Sequence, residues 1–133
     1  MVFKFGRHCL IAEDQALIGL ALEAYLEEVG FTVEGPFATN ADALASLGQR
    51  APELALVDVL LRDGPCLRLV RELRRRGIPF AFYSALKPDP VPPELESVPW
   101  LEKPVPREAL IQVLQDLMSA QGKSGHLPVP SDV

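Results

Sequence analysis

The sequence predicts one α/β domain built on a doubly wound parallel sheet. Short apolar runs recur along the 133 residues and are continuous rather than alternating, as expected of strands buried on both faces. Segments with a 3.6-residue apolar period lie between them. Gly, Pro and capping residues mark the changes from one pattern to the other. Strand–helix alternation of this kind implies parallel strands joined by right-handed crossovers.

The first run is "CLIA" (residues 9–12). Ile18, Leu22, Tyr25, Leu26 and Val29 follow at helical spacing, and Gly30 is placed to end that helix. "FTVEG" (31–35) is the second run, and Thr39, Asn40, Ala41 and Asp42 then have the form of a capping box ahead of "ALASL". "LALV" (54–57) is the third. Gly64 and Pro65 precede a third helix, Pro being tolerated in a first turn. Leu67, Val70 and Leu73 give that helix an apolar stripe and Gly77 ends it. Arg74, Arg75 and Arg76 lie at its end, where cations complement the helix dipole. "FAFY" (80–83) is the fourth run.

The prolines of "LKPDPVPPELES" (86–97) each remove a donor and fix φ, so no regular helix passes through them. A short turn around 94–97 is the most that remains, and the fourth helix is short or missing. "WL" (100 and 101) is the fifth and shortest run. Leu110, Val113, Leu114 and Leu117 mark a last helix starting near Pro106. The Gly, Ser and Pro of "GKSGHLPVPSDV" read as a flexible tail over 122–133, which leaves 1–121 as the domain.

A chain that is 48% hydrophobic and 23% charged can bury a core. Its net charge of −5 speaks against a nucleic-acid binder, which would carry a basic face. No signal peptide and no apolar stretch of about 18 residues is present, so no membrane partner is expected. Cys9 and Cys66 have no metal or redox spacing, which fits inert thiols in a reducing cytoplasm.

Folds of this type bind ligands beyond the carboxyl ends of their strands, at the switch in strand order. Polar residues stand there: Glu13 and Asp14 after the first run, Asp58 after the third, Ser84 after the fourth, and Glu102, Lys103 and Pro104 after the fifth. The second run ends in Gly35 and Pro36 and contributes none. Asp58 is the most informative, because "LALVDVLL" surrounds it with apolar residues and a buried unpaired carboxylate costs several kcal/mol. In the flavodoxin-like order 2-1-3-4-5 the first and third strands are neighbours, and Glu13, Asp14 and Asp58 converge. Carboxylates that close repel one another unless a cation intervenes, and hard oxygen donors suit Mg²⁺. With the Ser84 hydroxyl and the Lys103 ammonium beside them, a phosphoryl group would find its oxygens neutralised.

On these residues the chain resembles the receiver domain of bacterial two-component response regulators. The motifs are "AED" at the first strand end, "LVDV" at the third, "YSA" at the fourth and "EKP" after the fifth, and the match spans nearly the whole foldable chain. The resemblance implies that Asp58 is the phosphoacceptor, attacking a phosphohistidine of a histidine kinase or histidine phosphotransfer protein. Glu13, Asp14, Asp58 and the backbone carbonyl of Leu60 would hold Mg²⁺. Ser84 and Lys103 would bind the phosphoryl group, Ala85 would leave access to it, and Trp100 would be a switch aromatic acting with Ser84. The bond between Lys103 and Pro104 is a candidate cis peptide.

The chain departs from the family at Arg62, where a Pro is usual, and at Cys66, where a Gly is usual, with Gly64 and Pro65 serving as the turn instead. "GPFATNADAL" and "GIPFAFYSA" look most like single-domain receivers, so an unknown downstream protein is implied and a homodimer is left open. A phosphorylation-independent interaction module is the alternative function. A phosphatase with an Asp nucleophile would need a second Asp where Leu60 stands, so no enzyme activity is expected beyond self-phosphorylation and slow self-dephosphorylation.

Overall fold

A computed structural model describes residues 7–85 and 93–124. The strands are β1 (His8–Ala12), β2 (Thr32–Phe37), β3 (Leu54–Val57), β4 (Phe80–Ser84) and β5 (Trp100–Glu102). The helices are α1 (Ala16–Glu28), α2 (Asn40–Gln49), α3 (Leu67–Arg75) and α4 (Arg107–Ser124). All strand pairs of the main sheet are parallel, in the order β2-β1-β3-β4-β5. That is the expected doubly wound sheet. The fourth helix is reduced, among the described residues, to the 3₁₀ turn Pro93–Leu95; residues 86–92 of the proline segment lie outside them.

The apolar runs became strands because both faces of the sheet are covered. β3 is buried along its whole length. On one side Leu10, Val57 and Phe82 pack with Ala43 and Leu47 of α2 and Leu69, Val70 and Leu73 of α3. On the other, Ile11, Leu56 and Ala81 pack with Leu22 and Leu26 of α1 and Leu110, Leu114 and Leu117 of α4. Each fully buried leucine contributes roughly 1.5–3 kcal/mol of transfer free energy. No helix among the described residues is long and apolar enough to cross a membrane.

The capping box is present in its first half: Thr39 Oγ1 accepts from the Asp42 amide at 3.0 Å. Gly30 follows α1 with φ 106° and Gly77 follows α3 with φ 71°, both in the left-handed region. Three details differ from the sequence expectation. β2 runs two residues further, to Phe37, and includes Gly35 and Pro36. Pro65 is outside α3: it pairs with Leu60 in a small antiparallel ladder, Leu60–Leu61 with Gly64–Pro65, and the helix starts at Leu67. Leu67 is therefore not part of the buried stripe but 44% exposed, and Leu69 takes its place.

α1 crosses close over the end of β2. A Cβ on Gly19 would lie 2.8 Å from Pro36 Cγ, so only glycine lets the helix sit there. The Gly35–Pro36 bond is cis, which the sequence reading did not anticipate, and so is the Lys103–Pro104 bond, which it did. α4 extends to Ser124; the remainder of the expected tail, 125–133, lies outside the described residues.

Candidate functional site

Sheet register assembles the site. Ala12 pairs with Val57, so β1 and β3 end level, and the Asp58 amide donates to the Ala12 carbonyl at 2.9 Å. Glu13 and Asp58 leave the sheet side by side. The Glu13 amide donates to the Phe37 carbonyl at 2.8 Å, so β2 braces the site through its backbone although it supplies no side chain to it. On the other flank Ser84 pairs with Glu102, and the Lys103 amide donates to the Ser84 carbonyl at 2.9 Å.

Lys103 closes the cluster. Its Nζ donates to Glu13 Oε1 at 2.6 Å and to Asp58 Oδ2 at 3.0 Å, with 10% of its side chain exposed. The Asp58 side chain is 12% exposed, so it stands at the sheet edge rather than inside the core. Glu13 is the buried member at 1%, and its Oε2 also accepts from the Gln15 amide at 3.0 Å. Burial pushes the Glu13 carboxyl above its ordinary range; the Lys103 and Gln15 hydrogen bonds pull it back and the Asp58 charge raises it again. For Lys103 burial works against the charge, but the hydrogen bonds to Glu13 and Asp58 outweigh it and hold the ammonium above its ordinary value.

Glu13, Asp14 and Asp58 each offer an oxygen, and these atoms lie within 4.8 Å of one another. Hard anionic oxygens at that spacing could hold a metal ion. Leu60 follows two residues after Asp58, in the ladder opposite Pro65. Pro65 has no N–H to give the Leu60 carbonyl. Ser84 is buried at the tip of β4 and Ala85 beyond it is exposed. Trp100 is half-buried at the start of β5, its ring 4.4 Å from that of Phe82. It is thus anchored on β4 two residues before Ser84.

Two contributors escaped the sequence reading. Lys103 Nζ lies 5.4 Å above the Tyr83 ring, a cation–π contact that helps aim it. An aromatic directly before the strand-end Ser84 was the available signal. The second is a clasp on the loop after Asp58. Buried Asn40 donates through Nδ2 to Asp63 Oδ1 at 3.1 Å and to the Pro65 carbonyl at 2.9 Å. Asp63 also accepts the Asn40 and Ala41 amides at 2.8 and 3.1 Å, which holds its carboxyl below the usual range. The start of α2 thereby fixes the loop that carries Leu60. Asn40→Ala is expected to cost about 1 kcal/mol, because it removes the hydrogen bonds that the buried amide makes to Asp63 and to the Pro65 carbonyl. Urea unfolding checks the stability, and faster amide exchange over 61–65 checks the loosened loop.

Cys66, beside this loop, is a buried free thiol that burial and the Asp58 charge push up to about 11. Cys9 is wholly buried, its thiol also raised. Both are inert at neutral pH.

Neither a family model nor a curated protein matches the sequence. Solved structures do match the fold. A sensor protein from Polaromonas sp. JS666 is 30% identical, with TM-score 0.74, over 86% of this chain and 98% of that one. A CheY-like response regulator receiver domain from Methylobacillus flagellatus is 26% identical, with TM-score 0.74, over 85% and 99%. The response regulator PhyR from Brucella abortus is 26% identical, with TM-score 0.78, over 91% of this chain and 51% of its own, so the chain spans about half of it. With the strand order, the acidic cluster and the Lys103 bridge in hand, these likenesses show that the chain belongs to the receiver-domain family of response regulators.

Proposed function

We propose that this receiver is a phosphorylatable signalling switch in a two-component or phosphorelay pathway, with Asp58 as the acceptor. One observation carries the proposal: Lys103 bridges Glu13 and Asp58 while an Asp14 oxygen completes a carboxylate cluster at the sheet edge. An Asp58 oxygen attacks the phosphorus of a phosphohistidine on a histidine kinase or histidine phosphotransfer protein. The P–N bond breaks, the imidazole leaves with the electron pair, and an acyl phosphate forms on Asp58. Lys103 then ion-pairs with the phosphoryl oxygens and the Ser84 hydroxyl donates to them. Glu13, Asp14, Asp58 and the Leu60 carbonyl would hold Mg²⁺, which when bound supplies positive charge against those oxygens. Two reduced, buried thiols are consistent with work in the cytoplasm.

The prolines of 86–97, with only the 3₁₀ turn Pro93–Leu95 among the described residues between β4 and β5, favour one second reading, a module that binds its partner regardless of phosphorylation. The two separate in a titration with Mg²⁺ and beryllofluoride, a phosphoryl mimic, followed by amide NMR and by fluorescence of the single tryptophan, Trp100. The switch reading expects saturable changes at 13, 14, 58, 84 and 103 that reach Trp100 and vanish in Asp58→Asn. Absence of binding in the wild-type chain would reject it.

A further inference from the structure

We infer that α3 and the Pro93–Leu95 turn form a docking surface for an acidic amphipathic segment of a partner protein. The chain carries a net charge of −5, yet residues 67–76 read "LRLVRELRRR", holding five of its 13 basic residues and one acid. The helix dipole accounts for only part of this. Arg74, Arg75 and Arg76 sit at the C-terminal end, where cations are favoured. Glu72 binds Arg75 and Arg76, and Arg74 donates to the Glu94 carbonyl and lies 5.8 Å over Phe80. Arg68 and Arg71 are different. Arg68 lies in the first turn of α3, where positive charge opposes the dipole, and Arg71 lies at its middle, where the dipole gives a cation no help. Both are exposed, and neither makes an ion pair or hydrogen bond among the described residues. Among the described residues nothing inside the domain accounts for their placement.

Beside them lies an apolar notch of about 80 Å³ lined by Leu67, Val70, Arg71, Arg74, Glu94 and Leu95. It is sized for one aliphatic side chain. Among the described residues, the Pro93–Leu95 turn forms the other wall of the notch. A helix presenting a leucine to the notch and carboxylates to Arg68 and Arg71 fits both features, in the manner of amphipathic helices that anchor in grooves. Long polyanions fit less well. Glu94 also lines the notch, and the acidic remainder of the protein repels an extended nucleic acid or an anionic bilayer. A short segment senses mainly the local field, since charges beyond about 8 Å are screened at physiological salt. This docking surface stands whether or not Asp58 is modified.

The test titrates the full ¹⁵N-labelled chain with a synthetic helical peptide carrying leucines at helical spacing flanked by glutamates. Amide shifts are expected over 64–76 and 93–95. Arg68→Glu with Arg71→Glu should weaken binding by about tenfold, and so should replacing the peptide glutamates by glutamines. Leu67→Ser should weaken it separately. Acids in the first turns suit the helix dipole, so the charge-reversed variant should remain folded by circular dichroism. Shifts that map elsewhere, equal binding of the glutamine peptide or of the charge-reversed variant, or tighter binding of an RNA oligonucleotide or anionic vesicles would each overturn the inference.

Discussion

Replacing Lys103 by Met is expected to lower folding stability by about 3 kcal/mol at neutral pH, the lower end of what breaking a buried ion pair costs. The lower end applies because Lys103 and Asp58 retain 10% and 12% exposure. The cost arises at Glu13, which is 1% exposed and would face Asp58 with no cation between them. Its carboxyl is already pushed up by burial and would rise further. A carboxyl whose folded value lies above its unfolded value loses stability as pH rises through that interval. Below the ordinary Glu value of about 4.3 both states are protonated and the penalty disappears. The Lys103→Met deficit should therefore be largest near neutrality and shrink on acidification. In the wild-type chain the ammonium is held above its ordinary value. Its own contribution is present below about 10.4 and lost as pH rises beyond the folded value. Urea unfolding of both proteins across the pH range checks this; a deficit independent of pH would assign it to lost packing instead.

Gly35→Ala is expected to be still more damaging, about 4 kcal/mol or outright failure to fold. Two costs combine. Gly35 has φ 105°, a conformation that L side chains rarely adopt, and a Cβ there would stand 2.6 Å from the Ile11 carbonyl oxygen. That oxygen belongs to the backbone of β1, whose pairing with β2 already shifts register between Leu10 and Ala12. A flexible side chain could move aside; a strand bonded to neighbours on both sides cannot. Thermal unfolding monitored by circular dichroism reads the loss. Because β2 braces Glu13 through the Phe37 carbonyl, a folded remnant should also lose the geometry of the acidic cluster.

The sheet and the site were legible in the sequence for one physical reason. Strands covered on both faces must be apolar throughout, so the first polar residue after each run marks where the strand leaves the apolar layers. Glu13, Asp58 and Ser84 could thus be placed at one edge, although Glu13 and Lys103 are 90 residues apart. What stayed hidden depends on contacts between distant segments. Leu67 and Leu69 both sit three or four positions from buried neighbours, and only the seating of α3 on the sheet decides that Leu69 is covered. Pro65 looked like a helix start because proline suits that position, but pairing with Leu60 holds it outside. The need for glycine at 19 comes from Pro36, in another element, and the Asn40–Asp63 clasp joins residues 23 apart. Neither leaves a periodic trace.

The most direct test of the account is intact-mass analysis after incubation with a small acyl-phosphate donor. The wild-type chain in Mg²⁺ should gain one phosphoryl group, mapped by proteolysis to the peptide containing Asp58. The gain should be lost on chelation of the metal and in Asp58→Asn. An unmodified wild-type chain, or a phosphoryl group that persists in Asp58→Asn, would contradict it.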